Sequence, residues 1–203
     1  MDLIIKQTEK EFFFQTENIT REAFWNFYKP GCDEHLVLHN IRKSENYMGE
    51  LDLVAFFNKQ IIGHIISTKA KVIDSMNLEY EILCVEPISV LPEFQNKGIG
   101  SKLIEYSISL AQKMGFIGMI LFGNPAYYHR FGFRNAKEFE ITTKDLQNFE
   151  PFMALQLKKN GLEKLKGKFH EDPAYMIDKN ELTEFEKKFP KKEKKKTETQ
   201  FLT

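Results

Sequence analysis

One stretch of sixteen residues, 86–101, limits the fold of this chain more than any other. Its first part, around Ile88 and Val90, is apolar and β-branched, which is typical of a strand. A proline then ends the strand, because proline has no N–H to donate to a neighbouring strand. Gly98 and Gly100 follow, and apolar residues with helical spacing begin directly after them. The stretch therefore predicts a strand, a glycine turn and the first turn of a helix.

This arrangement favours binding of an anion. The first N–H groups of a helix have no partner within the helix, and the helix dipole places partial positive charge there. Two common phosphate-binding loops are excluded. No Gly-x-x-x-x-Gly-Lys-Ser/Thr run exists, and Leu103 stands where a dinucleotide-binding loop needs its third glycine or alanine. The pattern that remains is Gln-x-x-Gly-x-Gly, beginning at Gln95.

Two segments together carry a resemblance to a known family. The run Gln-Asn-Lys-Gly-Ile-Gly at 95–100 resembles the pyrophosphate-binding motif of the GNAT superfamily of acetyl-CoA-dependent N-acetyltransferases. Residues 123–133 resemble the Tyr-x-x-x-Gly-Phe segment that closes the same fold. The resemblance covers residues 1–141 in order of elements. It continues more weakly to Phe169, as in a bacterial branch of predicted acetyltransferases.

The resemblance implies an α/β (α+β) fold with a GNAT-like, mixed, mostly antiparallel twisted sheet flanked by helices. The residue pattern is consistent with this fold. It predicts strands at 3–7, 51–57, 61–73, 79–90, 118–122 and 152–157, and helices at 16–28, 34–42 and from Gly100 to a cap at Gly115. Residues 131–133 and 138–141 are candidate pieces of a further strand.

Composition bounds the domain organisation and the class of partner. We expect one acetyltransferase domain at 1–180 and a lysine-rich tail at 181–203, whose composition favours disorder. The formal net charge of zero makes nucleic acid an unlikely partner. Two distant cysteines, no signal-peptide pattern and no membrane-length apolar run favour a cytoplasmic protein without a membrane partner.

The resemblance also implies that acetyl-CoA is the acyl donor. Main-chain groups of Ile88 and Val90 would face its pantetheine arm and acetyl group, and Asn124 is a weaker candidate contact. Backbone N–H groups of the glycine turn would hold the pyrophosphate, with a lysine adding charge. The residues of this turn are Gln95, Asn96, Lys97, Gly98, Ile99, Gly100 and Ser101.

The resemblance implies direct attack by a primary amine on the thioester. Tyr128 stands four residues before the glycine of the second motif and is the candidate general acid, since a phenol is protonated near neutral pH. Glu86 is the candidate general base, Glu81 is an alternative, and a solvent-facing role for Glu86 stays open. Cys84 on a strand is more typical of a buried structural thiol than of a nucleophile.

No metal site is expected. His35 and His39 have the spacing of two ligands on one helical face, but no glutamate follows the first histidine as in metalloproteases. Asp33 and Glu34 either attract a cationic amine or act as carboxylates at a helix N-terminus, and the second role is favoured.

The acceptor, a small-molecule or peptide amine, is not identified by the sequence. The main alternative function is a non-catalytic acyl-CoA-binding sensor or regulatory module, which would need the glycine turn but neither Tyr128 nor a base. A homodimer through an edge strand at 152–157 is also open.

Overall fold

The computed structural model describes residues 2–163, 165–198 and 200. Within them, nine strands form one mixed sheet. The strands are β1 (Ile4–Gln7), β2 (Tyr47–Phe57), β3 (Gln60–Ile73), β4 (Glu79–Val90), β5 (Gly118–Phe122), β6 (Arg134–Asn135), β7 (Ile141–Thr143), β8 (Phe152–Gln156) and β9 (Gly167–His170).

Five α-helices accompany these strands in the described part of the chain. They are α1 (Phe13–Phe24), α2 (Glu34–Ile41), α3 (Ile99–Met114), α4 (Pro125–Tyr128) and α5 (Lys179–Glu186). The predicted helix cap at Gly115 is confirmed, since α3 ends there.

The sheet has the strand order β1-β2-β3-β4-β5-β8-β6, and β9 pairs with β3 and β7. Neighbouring strands are antiparallel except for the parallel pairs β4–β5 and β7–β9. The predicted mixed, mostly antiparallel sheet flanked by helices is confirmed.

Alternation along β2 divides the core between two layers. Leu51 and Leu53 are buried against α3, whereas Val54 packs in a separate cluster with Ile19 of α1. Successive strand residues face opposite sides of a sheet. An uninterrupted apolar run is therefore buried only if other elements pack on both faces of the sheet. Helices α1 and α3 pack on the two faces, and the ends of the central strands contribute to the candidate functional site.

The central strands separate after a short contact. β4 and β5 pair only at Leu83 with Met119 and at Cys84 with Ile120. Beyond these pairs the register between β3 and β4 also shifts, next to Pro87, which has no N–H to donate. The result is a V-shaped opening between β4 and β5.

The strand prediction at 131–133 is wrong, and the one at 138–141 is confirmed only for Ile141, the first residue of β7. The chain at His129–Phe131 and at Ala136–Phe139 forms 3₁₀ turns, and only the short β6 and β7 lie in the sheet. One reason is that the Asn135 side chain accepts a hydrogen bond from the Lys137 N–H at 3.0 Å. Such local side-chain caps compete with strand pairing.

The prediction of an edge strand at 152–157 is also wrong. β8 lies between β5 and β6, which pairs with Met153 and Ala154. A homodimer stays a prediction, but this strand is not a free edge over those residues.

The C-terminal region differs from the solvated tail that its composition favours. The predicted boundary at residue 180 falls inside α5, whose Phe185 packs with Phe189 and with Leu36 of α2. Two phenylalanines thus bury apolar surface despite the many lysines. The division into two regions stays a prediction, and residues 199 and 201–203 of the proposed tail lie outside the described residues.

A buried ion pair fastens this region to α1. The Arg21 side chain is 1% exposed and donates to the Glu186 carboxylate through Nε at 3.0 Å and through Nη2 at 2.8 Å. Arg21 also donates to the Pro190 carbonyl at 3.1 Å. No helix in the described residues combines the length and the apolarity needed to cross a membrane.

We predict that Glu186→Gln lowers the free energy of unfolding by roughly 3 kcal/mol, because it removes the nearer carboxylate from the buried Arg21 guanidinium and leaves only Glu22, at 3.8 Å. Glu184→Gln is the matched control. Its carboxylate lies on the same helix, is 70% exposed and, among the described residues, forms an ion pair with Lys187 alone. The control should change stability by about 0.5 kcal/mol or less. Urea denaturation measures both, and equal losses in the two variants would contradict the assignment.

Candidate active site

The turn before α3 has the conformation expected of an anion-binding loop. Gly98 is the N-cap of α3 and has φ of 80°, a left-handed conformation that glycine adopts without strain. No side chain caps the helix at this end. The first N–H groups of α3 are therefore free to bind an anion.

Gly100, in the first turn of α3, is closely approached by a tyrosine. A Cβ atom at this position would lie 2.9 Å from the hydroxyl oxygen of Tyr127. The same hydroxyl lies 3.4 Å from the Ser101 Oγ. A side chain at Gly100 would therefore collide with Tyr127 and fill the space in front of the helix N-terminus.

The open edge of β4 presents backbone groups to the V-shaped opening. The Leu91 N–H donates to the Ile62 carbonyl of β3 at 2.9 Å. Because backbone groups alternate between the two edges of a strand, those of Val90 and Ile88 point away from β3. The Val90 carbonyl accepts from Gln95 Nε2 at 3.0 Å, which ties the turn to the strand.

These elements line a groove of about 590 Å³. Most of the sequence-predicted cofactor residues lie along it. They are Ile88, Val90, Gln95, Asn96, Gly98, Ile99, Gly100 and Ser101.

Two predicted cofactor residues lie elsewhere. The Lys97 ammonium donates to the Glu93 carbonyl at 2.7 Å and is not among the groove-lining groups. The Asn124 side chain accepts from the Ala126 N–H at 3.0 Å and caps α4, next to a second cavity rather than the groove. Both side chains form hydrogen bonds with nearby backbone groups, and the motif alone does not predict these bonds.

The second cavity has a volume of about 440 Å³ and contains Glu86. The Glu86 carboxylate accepts a hydrogen bond from the Phe122 N–H, at the end of β5. Burial raises the pKa of Glu86 to about 8; the Phe122 hydrogen bond opposes this, and Glu171 and Glu34 add to it. Glu81, the alternative base, is 55% exposed and pairs with Lys69 at 3.1 Å, away from this cavity.

Tyr128 lines both the groove and the second cavity. Burial raises the pKa of its phenol well above the usual value, and the negative charge of Glu86 raises it further. The phenol therefore stays protonated and can donate a proton where the two cavities meet. Cys84, by contrast, is completely buried, and burial raises the pKa of its thiol.

Several lining residues were missed by the sequence analysis. Arg130 lies in the groove and stacks on Tyr127, with its guanidinium carbon 4.8 Å from the ring centre. Its position inside the second motif could have indicated it. Glu171 and Tyr175 line the second cavity, but they follow β9 and no local signal connects them to the site.

The two histidines considered as metal ligands have separate partners. His35 Nε2 lies 2.7 Å from Glu186, and His39 Nδ1 lies 2.8 Å from Glu17. The described residues include no cluster of three or more histidine, cysteine, aspartate or glutamate side chains suited to a metal ion.

Comparison with known proteins finds a family model and relatives to which part of this chain is similar. Residues 50–135 match the family model described as an acetyltransferase (GNAT) domain. The chain is 30% identical over 94 residues to the uncharacterized N-acetyltransferase YjhQ of Escherichia coli K12, which is 46% of this chain and 51% of that protein. It thus spans about half the length of this relative. It is 23% identical over 141 residues to the uncharacterized N-acetyltransferase YhbS of the same strain, covering 68% of this chain and 81% of that protein.

Solved structures share the fold. The GNAT family N-acetyltransferase YhbS from E. coli, in complex with CoA, superposes with a TM-score of 0.76 at 18% identity over 86% of this chain and 92% of its own. A GNAT family acetyltransferase from Brucella melitensis, in complex with acetyl-CoA, superposes with a TM-score of 0.70 at 24% identity. This match covers 85% of this chain and 97% of the Brucella chain. Residues 50–135 of the chain thus match a GNAT acetyltransferase domain, and the chain shares its fold with GNAT acetyltransferases of solved structure.

Proposed function

We propose that this chain is an N-acetyltransferase that transfers the acetyl group of acetyl-CoA to a primary amine by direct attack. The observation that carries the proposal is the position of Tyr128 and Glu86. Tyr128 borders both the groove and the second cavity, and Glu86 lies in the second cavity beside it. A proton donor and a proton acceptor thus lie near the junction of a donor site and an acceptor site.

The groove would hold the acyl donor. The amides at the N-terminus of α3 suit a pyrophosphate, and the open edge of β4 suits an amide-containing arm. Two GNAT structures with this fold hold CoA or acetyl-CoA, which supports the same ligand here. An N–H of Ile88 or Val90 directed at the thioester oxygen would stabilise the charge that develops there.

The second cavity would hold the acceptor. The amine nitrogen attacks the thioester carbonyl carbon, an N–C bond forms and the C–S bond breaks. Glu86 takes a proton from the amine, and Tyr128 gives one to the departing sulfur. A covalent acetyl-cysteine route through Cys84 is disfavoured, because its thiol is buried and held protonated.

Both cysteines are free thiols, which fits a reducing compartment such as the cytoplasm. The alternative function, a non-catalytic acyl-CoA sensor, requires the groove alone. It gives no reason for Tyr128 and Glu86 to line one cavity, so we favour the enzyme.

We predict that Gly100→Glu weakens acetyl-CoA binding by roughly 100-fold, because the new side chain would fill the space in front of the helix N-terminus and its carboxylate would repel the pyrophosphate. Isothermal titration calorimetry with acetyl-CoA measures the effect. Ser109→Glu adds the same charge at an exposed position of α3 and should bind normally. Unchanged binding by Gly100→Glu would place the pyrophosphate elsewhere, and no binding by the wild type would remove the proposal.

We predict that Tyr128→Phe lowers kcat by about 100-fold, the usual contribution of a positioned general acid, without weakening acetyl-CoA binding. Release of CoA thiol in the presence of an amine measures kcat. Tyr106→Phe removes a hydroxyl from a tyrosine that is 46% exposed on α3 and serves as the control. If Tyr128→Phe and the control had the same kcat, Tyr128 would not be the acid.

We predict that kcat/KM rises with pH up to about 8, because Glu86 must lose its proton to act as the base and its pKa is raised to about 8. The profile of kcat/KM reports groups of the free enzyme and of the free amine, so the same amine is used for the wild type and for Glu86→Gln and the two profiles are compared. Glu86→Gln should have a low kcat/KM, and its profile should lack the part of the rise that comes from the titration of Glu86. A rise of the same size in Glu86→Gln would assign the titration to another group.

A further inference from the structure

The second cavity differs in charge from the groove beside it. Four carboxylates line the cavity, and none of its lining residues in the described chain is lysine, arginine or histidine. They are Asp33, Glu34, Glu86 and Glu171. The groove instead contains Arg130 and the positive end of α3, and it has no acidic lining residue in the described chain. The negative phosphates of a CoA ligand are therefore attracted to the groove and repelled from the cavity.

Nearby cations offset only part of this negative charge. Lys29 forms an ion pair with Asp33. Lys144 acts electrostatically on Glu171 from outside the cavity. Neither lysine neutralises Glu86.

Glu86 itself is incompletely satisfied. One of its carboxylate oxygens accepts the Phe122 N–H, and the other has no hydrogen-bond partner among the described residues. Glu34 is satisfied in part by the Asp33 N–H at 3.0 Å. Glu171 forms no ion pair within the described chain and is the one exposed carboxylate among the four that line the cavity, so we take its position as the mouth of the cavity. The carboxylates thus run from an inner position to the mouth.

The walls between these carboxylates are aromatic. Six rings line the cavity, those of Phe24, Tyr28, Phe122, Tyr127, Tyr128 and Tyr175. Aromatic faces pack against alkyl chains and attract ammonium groups. The cavity therefore combines an apolar passage with a carboxyl group at both of its ends.

We propose that the acceptor is an alkyl diamine or polyamine, with the reacting amine at Glu86 and a second ammonium held at the mouth by Glu171. This inference rests on the proposed function and adds the substrate class. The proposal excludes amines that carry a carboxylate where the diamine has its second ammonium, such as amino acids with an alkyl chain of the same length. Glu171 at the mouth would repel that carboxylate.

Three probes with five carbons test the proposal: pentylamine, cadaverine and aminovaleric acid. They share the reacting amine and end in a methyl group, an ammonium and a carboxylate. We expect kcat/KM for cadaverine to exceed that for pentylamine by about 10-fold, because cadaverine gains one ammonium–carboxylate contact. Aminovaleric acid should have the lowest kcat/KM of the three. Equal values for cadaverine and pentylamine would overturn the proposal.

Glu171→Gln removes the charge at the mouth with little change of shape. It should lower the ratio of kcat/KM for cadaverine to kcat/KM for pentylamine by about 10-fold, whereas the loss of its effect on the pKa of Glu86 acts on both amines alike. Glu150→Gln is the matched control, since Glu150 is exposed and does not line the cavity. A uniform loss for both amines in Glu171→Gln would mean a structural effect and would contradict the assignment.

A binding measurement separates this inference from the proposed function. Cadaverine and pentylamine are titrated by calorimetry into the wild type and Glu171→Gln, each saturated with CoA. Tighter binding of cadaverine that Glu171→Gln removes supports the diamine site even if no amine is acetylated, an outcome that would refute only the enzyme. Turnover of pentylamine with equal binding of both amines would refute only the diamine.

Discussion

The hydrogen bond between the Phe122 N–H and the Glu86 carboxylate joins β4 and β5 where their backbones separate. At this point the ladder has ended and Pro87 offers no N–H. A side chain thus takes the place of a backbone partner. The same contact holds a carboxyl group inside the V-shaped opening, so the feature that opens the sheet also positions the proposed base.

The opening is divided by charge. On one side lie the N-terminus of α3 and Arg130, and on the other lie Glu34, Glu86 and Glu171. Tyr128 belongs to both sides. In the proposed reaction, a polyanionic donor and a cationic acceptor would therefore occupy adjacent sites without competing, and they would meet at a phenol that burial keeps protonated.

The central strands and α3 could be predicted from the sequence because their signals are local. β4 has the predicted bounds, and the glycine turn indicated most of the groove. The wall of the second cavity could not be predicted, because the pairing of β9 with β3 brings Glu171 and Tyr175 to it from a distant part of the chain. Likewise, the lysine-rich composition near α5 concealed Phe185, whose burial depends on contact with distant α2.

A crystal structure of the chain with CoA and cadaverine would test the central claim, that donor and acceptor meet at Tyr128. The account predicts the pyrophosphate at the amides of Gly98–Ser101 and the pantetheine along the open edge of β4. It further predicts one amine of cadaverine beside Glu86. CoA bound outside the groove, or cadaverine bound away from the second cavity, would contradict the account.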